Sequence, residues 1–246
     1  MKKLSIVIPA LNEEKFIGNV INDILNSTYK DYEIIVSDSG SEDNTKGVVK
    51  NFIENYPGIR LVQAKKKGAA HARNNGAAYA KGEYILFLDA DQRIPRNFIE
   101  NSMNEMKERN LDMGGHYSRP TGKKFIDKVF WFVSNNLIFR PGQYTVPAAS
   151  TGSGLIVKRS LHEKIKGFDE EIEVVHDHDY VRRGSKIGKF RMLKHEKSKF
   201  NMRRFDEEGR LKLYAKYILL IFFYLFRSKK TPFEYEFGKH RNSKKT

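Results

Sequence analysis

The stretch Tyr84–Asp91, YILFLDAD, joins an apolar run directly to two carboxylates. Residues 84–88 have the composition of a buried strand. Because an unpaired carboxylate is costly to bury, Asp89 and Asp91 indicate where this strand reaches the surface. The stretch therefore predicts a core strand whose carboxyl end presents negative charge at the edge of a sheet.

Strand-like and helix-like patterns alternate through residues 4–91. Three strand-like segments precede the one at Tyr84, namely LSIVIP (4–9), YEIIVSD (32–38) and IRLVQA (59–64). Apolar residues at helical spacing follow the first two, and the alanine-rich segment AAHARNNGAAYA (69–80) follows the third. This alternation predicts an α/β fold with a mostly parallel central sheet, right-handed crossovers and helices on both faces.

Turn-forming or charged residues end each of the four strand-like segments. They are Pro9–Ala10, Asp38–Ser41, Lys65–Gly68, and the pair Asp89 and Asp91. Any one of them alone is an ordinary turn or helix-cap sequence. The carboxyl ends of parallel strands meet at one edge of a sheet, and α/β proteins bind ligands there, so the four groups together predict a ligand site.

The residue types at this edge suit a nucleotide. The Asp-x-Asp spacing of Asp89 and Asp91 can hold a hard divalent cation whose remaining ligands are the phosphates of a bound molecule. Asp38 is placed to hydrogen-bond a base or a ribose. The basic segment KKKGAAHARN (65–74) offsets phosphate charge, and the helix expected to start near Gly68 adds its positive end.

The composition limits the chemistry and the partners of the chain. Its 246 residues are 39% hydrophobic, contain no cysteine and carry a formal net charge of +15. The absence of cysteine excludes disulfides, zinc-thiolate sites and thiol nucleophiles. The positive charge indicates a phosphate-bearing ligand or an anionic lipid surface, or else a lysine-rich solvated surface. The sequence has no nucleic-acid reader motif, so nucleic acid is not expected as a partner.

Five segments, taken in order, resemble family 2 glycosyltransferases: SIVIPALNEE (5–14), VSDSGSEDNT (36–45), GAAHARNNGAAYAKGEYILFLDAD (68–91), GLIVKRSLHEKIKGFDE (154–170) and HDHDYVRR (176–183). The resemblance covers roughly residues 4–195. It implies a Rossmann-like nucleotide-diphospho-sugar transferase fold of the A type. It also implies inverting, metal-assisted transfer of a sugar from a nucleotide-diphospho-sugar.

The resemblance assigns roles to single residues. It implies a nucleoside pocket lined by Pro9, Glu13 and Asp38. It places Arg73 near the base or the phosphates. It implies that Asp89 contacts the ribose or the metal, and that Asp91 coordinates Mg²⁺ or Mn²⁺.

Inverting transfer also needs a base for the acceptor hydroxyl. Family members resemble one another in a Glu-Asp pair on the acceptor side, which falls here on His176-Asp177. Asp177 is therefore the candidate base, while His in place of Glu leaves the role of the first position open and allows a pH-sensitive contact. Two alternatives stay open: the run 176–179 simply begins a helix, or it forms a separate transition-metal site, although consecutive helical residues cannot all face one ion.

Two apolar, aromatic-rich segments with basic flanks follow the first half, at Phe125–Phe139 and Leu211–Phe226. As a helix the second would be about 24 Å long, too short to cross a hydrocarbon core of about 30 Å. Each is interpreted either as a core helix or as a helix lying in a membrane interface. The second interpretation predicts a peripheral enzyme on the cytoplasmic, inner face of the cell membrane, with an anionic membrane surface as partner and a lipid-linked or membrane-proximal acceptor.

Residues 1–200 are expected to form the catalytic domain, with a nucleotide-binding half (1–110) and an acceptor-side half (111–200). Residues 201–246 are expected to form an apolar membrane-associating helix and tail. The N-terminal MKKLSIVIPALNEE is interpreted as a first strand rather than a signal peptide. Two other functions stay open: a sugar-nucleotide nucleotidyltransferase, although PALNEEK stands where those enzymes have a Gly- and Arg-rich loop, and a non-catalytic membrane- or polyanion-binding module.

Overall fold

The computed structural model describes residues 3–122, 124–145, 154–172 and 175–225. Its strands are β1 (Leu4–Ala10), β2 (Tyr32–Asp38), β3 (Ile59–Gln63), β4 (Tyr84–Phe87), β5 (Met113–Pro120), β6 (Leu155–Lys158) and β7 (Phe190–Phe200). Its helices are α1 (Ile17–Leu25), α2 (Thr45–Asn55), α3 (Ala69–Ala78), α4 (Phe98–Glu108), α5 (Phe125–Val133), α6 (Arg140–Thr145), α7 (Arg159–Lys164), α8 (His176–Ser185), α9 (Arg203–Glu208) and α10 (Arg210–Leu225). A π-helical segment, Ser134–Phe139, joins α5 to α6.

The strands form one seven-stranded sheet in the order β3-β2-β1-β4-β6-β5-β7. The pairs among β1, β2, β3 and β4 are parallel, as the alternating pattern predicts. In this register Ala10 pairs with Asp38, so the residues that end β1 and β2 lie side by side. The strand at Tyr84 ends at Phe87, before the two carboxylates, which lie in the turn that follows.

Helices cover both faces of the sheet. On one face α1, α2 and α4 pack on a core cluster that includes Ile6, Ile34 and Leu86. On the other face α3, α7 and α8 pack on a second core cluster that includes Val7, Phe87 and Met113. Burial of both faces of the sheet under helices confirms the predicted α/β class with a mostly parallel sheet.

The second half of the sheet has mixed direction. β6 lies antiparallel between β4 and β5, and β5 pairs in parallel with β7. The β5–β7 ladder shifts register between His116 and Tyr117. Since β5 runs antiparallel to β6, it has the direction of β4, and its carboxyl end reaches the same edge of the sheet.

The apolar segment Phe125–Phe139 is not a single α-helix, because its second part is the π-helical segment. In that wide turn the buried Asn135 donates a hydrogen bond from its side-chain amide to the carbonyl of Ser118 at 2.8 Å. The π-helical segment is thereby attached to β5. A sequence pattern of apolar spacing does not distinguish this wide turn from a regular helix.

The C-terminal helix α10 is attached to α5 through a buried polar cluster. Asp127 of α5, which is 0% exposed, accepts hydrogen bonds from Arg210 at 2.9 Å and from the Tyr214 hydroxyl at 2.6 Å. Phe130 stacks on Tyr214 with ring centroids 4.0 Å apart. No helix within the described residues is both long and apolar enough to cross a bilayer. Lys123 and the residues from Phe226 onward, which contribute to the expected basic flanks, lie outside the described residues.

Candidate functional site

The loops that follow β1 and β2 are joined to each other by reciprocal hydrogen bonds. The backbone N–H of Asn12 donates to the Ser41 hydroxyl at 2.9 Å, and the Asn12 side-chain oxygen accepts from the N–H of Glu42 at 2.9 Å. The N–H of Glu13 donates to the Thr45 hydroxyl at 2.8 Å. Pro9 and Glu13 are therefore held beside the end of β2.

Asp38 lies at the last position of β2 and is 0% exposed. Its carboxylate accepts hydrogen bonds from the backbone N–H groups of Gly40, at 3.0 Å, and Ser41, at 3.1 Å. Gly40 has a φ of +92°, a conformation that a residue with a Cβ rarely adopts. The turn thus orients the carboxylate, and an ionised carboxylate has about four acceptor positions, so capacity for a ligand donor remains.

Arg73 is a buried cation that lies between two parts of the site. It is 5% exposed on α3, and its Nη2 lies 2.8 Å from Oδ1 of Asp89. Its Nη1 contacts Nε2 of His176, and its guanidinium carbon lies 5.5 Å from the centroid of the Phe168 ring.

The residue immediately before α8, the helix that carries the candidate base Asp177, has a strained backbone conformation. Val175 has a φ of +60° and a ψ of +19°, a left-handed conformation that is a true outlier for a β-branched residue. Its carbonyl accepts the first helical hydrogen bond, from the N–H of Asp179 at 3.1 Å. His176 and Asp177 therefore occupy the first turn of α8, which confirms that the acidic run begins a helix.

Asp177 has an environment that favours its ionised form. Its side chain is 15% exposed, and its Oδ2 lies 3.9 Å from Nε2 of His178. Burial alone raises the pKa of Asp177, but the neighbouring His178, His176 and Arg73 lower it by more. The net pKa lies below the ordinary value, so Asp177 carries a negative charge at neutral pH.

The neighbouring Asp179 has a different, structural environment. It is 5% exposed and accepts hydrogen bonds from Arg182 at 2.8 Å and from Arg183 at 2.6 Å. Arg183 also donates to the carbonyls of Ile165 and Gly167. Arg183, which Asp179 orients, therefore fixes α8 to the loop before it, and two guanidinium groups neutralise the charge of Asp179.

The loop before α8 is fixed to α3 on its other side. The Asn74 side chain donates to the carbonyl of Phe168 at 2.9 Å and accepts from its N–H at 2.8 Å. His71 lies 2.7 Å from Glu170. Phe168 stacks on Tyr180 of α8, with ring centroids 4.0 Å apart. These contacts hold α8 next to Arg73.

Asp89 and Asp91, in the turn after β4, are the two carboxylates that the sequence predicts for a divalent cation. Within the described part of the chain, no group of three or more His, Asp or Glu side chains could hold a metal ion. In nucleotide sites Mg²⁺ is commonly bound by one or two carboxylates together with the phosphates. Asp89 and Asp91 supply carboxylate oxygens, which are the ligand type that a divalent cation bound with a diphosphate takes. The separate His/Asp metal site considered for residues 176–179 is not found among these residues.

The structure groups the candidate residues in two parts along one sheet edge. Pro9, Glu13 and Asp38 lie at the ends of β1 and β2, and Asp91 lies in the turn after β4. The second part consists of Arg73, Asp89, His176 and Asp177. The sequence did not predict the contact between Arg73 and His176. Those two residues are 103 positions apart, and no local pattern indicates such a contact.

Comparisons with known proteins identify the family that the chain resembles. The family model described as "Glycosyl transferase family 2" matches residues 5–166, well over half of the chain. The chain is 37% identical over 110 residues to a GalNAc(5)-diNAcBac-PP-undecaprenol beta-1,3-glucosyltransferase of Campylobacter jejuni, which covers 44% of this chain and 36% of that protein. The alignments with three further curated relatives span 32% to 39% of those proteins.

Solved structures share the fold. The mannosyltransferase PcManGT of Pyrobaculum calidifontis, in complex with GDP-Man and Mn²⁺, superposes with a TM-score of 0.71 at 20% identity and covers 94% of this chain and 66% of its own. The S. aureus TarS fragment 1–349 in complex with UDP superposes with a TM-score of 0.66 at 20% identity and covers 88% of this chain and 65% of its own. These likenesses establish the Rossmann-like fold of the A type.

Proposed function

Because the chain belongs to glycosyl transferase family 2, we propose that it is an inverting glycosyltransferase that moves a sugar from a nucleotide-diphospho-sugar to an acceptor hydroxyl. One observation carries this proposal. The buried Arg73 connects Asp89, in the turn after β4, to the first turn of α8, where Asp177 lies. A donor bound over the strand ends and an acceptor bound at α8 would then meet at this point.

In this proposal the nucleotide lies over the carboxyl ends of β1, β2 and β4. Pro9, Glu13 and Asp38 contact the nucleoside, and the orientation of Asp38 by its own turn limits which base or ribose donors fit. Arg73 holds Asp89 in one orientation through a charge-assisted hydrogen bond. Asp89 and Asp91 would hold a divalent cation, which when bound neutralises the charge that develops on the departing diphosphate.

Asp177 acts as the general base. Its carboxylate accepts the proton of the acceptor hydroxyl while the hydroxyl oxygen attacks the anomeric carbon from the side opposite the diphosphate, which inverts that carbon. The lowered pKa keeps Asp177 ionised at neutral pH. The strained start of α8 at Val175 places this carboxylate in the first helical turn, where the helix dipole also favours a negative charge.

The acceptor is proposed to be lipid-linked or close to a membrane, with the protein bound peripherally. α5 and the π-helical segment expose an apolar face in which Phe125 is 80% exposed, Phe132 67% and Leu137 67%. Lys124 and Lys128 are exposed beside it. Exposed aromatic side chains flanked by lysines suit the interface of an anionic membrane. The undecaprenol-containing name of the Campylobacter relative is consistent with such an acceptor.

The proposal is tested by incubating the purified full chain with a panel of nucleotide sugars and measuring the nucleoside diphosphate released. The anomeric configuration of the transferred sugar is then read by NMR. We expect release with one donor class and an inverted product. Release of nucleoside diphosphate with retention of configuration, or no release with any donor from folded protein, would contradict the proposal.

A further inference from the structure

Three exposed cations lie close together on β5 and β7, namely Arg119, Lys197 and Lys199, and we call them the β5–β7 basic face. In the parallel ladder Arg119 pairs with Lys199, and Tyr117 pairs with Lys197. Paired residues, and residues two apart on one strand, point to the same face of a sheet. The three cationic side chains therefore project to one side.

This arrangement has an energetic cost within the protein itself. Like charges directly opposite one another in a ladder are destabilising. Among the side chains that the structure describes, no carboxylate forms an ion pair with Arg119, Lys197 or Lys199. Lysines on an edge strand such as β7 also prevent strand addition, but that role does not need a cation at the paired position of β5.

The β5–β7 basic face lies on the side of the sheet that carries α8. Tyr117 packs against the second core cluster, and Arg119, two residues further along β5, shares its side. Tyr180 of α8 belongs to the same cluster. α8 begins at His176, which contacts Arg73 near the carboxyl end of β4, and Gly184 of α8 lies against Met113, the first residue of β5. Asp177 therefore lies at the carboxyl edge of the sheet, and β5, with Arg119 one residue before its end, finishes at the same edge.

Further groups on this side suit a carbohydrate. Tyr144 is 64% exposed and acts on the hydroxyl of Tyr117, which places it on this side. Arg140 is also exposed, and its positive charge acts on the hydroxyl of Tyr117. Aromatic rings offer flat apolar surfaces to the C–H faces of sugars, and guanidinium groups bind carboxylate or phosphate.

We propose that the β5–β7 basic face binds the anionic groups of a glycan chain, so that the acceptor glycosylated at Asp177 is a polyanionic glycan. Lys197 and Lys199 are about 6.6 Å apart along the strand, a spacing suited to repeated charges on an extended chain. A membrane is a less suitable occupant, because the large apolar groups that would insert into lipid are on α5. This inference rests on the proposed function.

The test measures binding of fluorescent glycans to the full chain by anisotropy. The probes are a short uronate-containing oligosaccharide, a short polyol-phosphate oligomer and a neutral oligosaccharide of equal length. We expect the wild type to bind at least one anionic probe, with an affinity that falls as salt rises, and to bind the neutral probe more weakly. The double variant Arg119→Gln/Lys199→Gln should weaken anionic binding about tenfold or more.

The control variant Lys50→Gln/Lys107→Gln removes the same charge from exposed positions of α2 and α4, on the opposite face of the sheet, and should retain wild-type affinity. Equal loss of anionic-probe binding in both double variants, wild-type binding of neither anionic probe, or equal binding of the neutral probe would contradict the inference. Donor binding by the wild type, measured separately, distinguishes failure of this inference from failure of the proposed function.

Discussion

Arg73 Nη2 lies 2.8 Å from Oδ1 of Asp89, although strand β4 separates the two residues in the chain. The same guanidinium contacts His176 with its other terminal nitrogen. The buried Arg73 thus holds Asp89, a candidate contact of the sugar donor, and it also holds the helix that carries Asp177, the candidate base. Only an arginine offers two separate terminal donors in a rigid plane.

Replacing Arg73 by Lys tests this connection. The ammonium keeps the charge but cannot hold Asp89 and His176 in the same planar geometry, so we expect the transfer rate to fall about tenfold or more. Arg60→Lys is the matched control, because Arg60 is 40% exposed, pairs with Glu33 at 3.5 Å and lies outside the candidate site. Rates measured at saturating donor should differ between the two variants, and equal rates would contradict the account.

Replacing each of two neighbouring acids of α8 by its amide should have different effects on the transfer rate and on Tm. Asp177→Asn removes the base, and we expect the rate of transfer to a hydroxyl acceptor to fall about 10²–10⁴-fold with little change in Tm. Asp179→Asn weakens the contacts with Arg182 and Arg183, so it should lower Tm more than Asp177→Asn does. Transfer assays and thermal unfolding of both variants check this. A large Tm loss with unchanged transfer in Asp177→Asn would mean that Asp177 has only a structural role.

Buried histidines should make stability depend on pH. Burial lowers the pKa of His116 to about 4, against an ordinary value of 6.5. Since the unfolded chain binds that proton first, the free energy of unfolding should decrease as the pH falls from about 6.5 towards 4. Urea unfolding at several pH values measures the decrease. In His116→Gln the loss between pH 7 and 5 should be smaller than in the wild type, and an unchanged slope would contradict the assignment.

The apolar face of α5 should control membrane binding. Phe125→Ser/Phe132→Ser removes two side chains that are 80% and 67% exposed, so Tm should change little, while sedimentation with anionic vesicles should decrease. Tyr56→Ser/Ile187→Ser, at positions 45% and 51% exposed elsewhere on the surface, is the matched control. If both double variants bind vesicles as the wild type does, the α5 face is not the membrane contact.

Much of the fold could be predicted because its signals are local. The alternation of strand and helix patterns predicts β1 to β4 and their parallel pairing, and the residues at the strand ends predict the edge at which Asp38 and Asp89 lie. The reversed direction of β6 and the π-helical segment depend on tertiary packing and have no such pattern. The left-handed Val175 is also set by its surroundings, since valine has no intrinsic preference for that conformation.

A nucleotide-diphospho-sugar is proposed to bind at the carboxyl edge of the sheet together with a divalent cation at Asp89 and Asp91. The most direct test of this central claim is thermal stabilisation of the full chain by nucleoside diphosphates and nucleotide sugars, each with Mg²⁺ or Mn²⁺ and again with a chelator. At a hundredfold excess over Kd, binding to the native state alone adds about 2.7 kcal/mol of stability. We expect a metal-dependent rise in Tm with one nucleotide class that is lost in Asp91→Asn. No rise with any nucleotide, or an equal rise in Asp91→Asn, would contradict the claim.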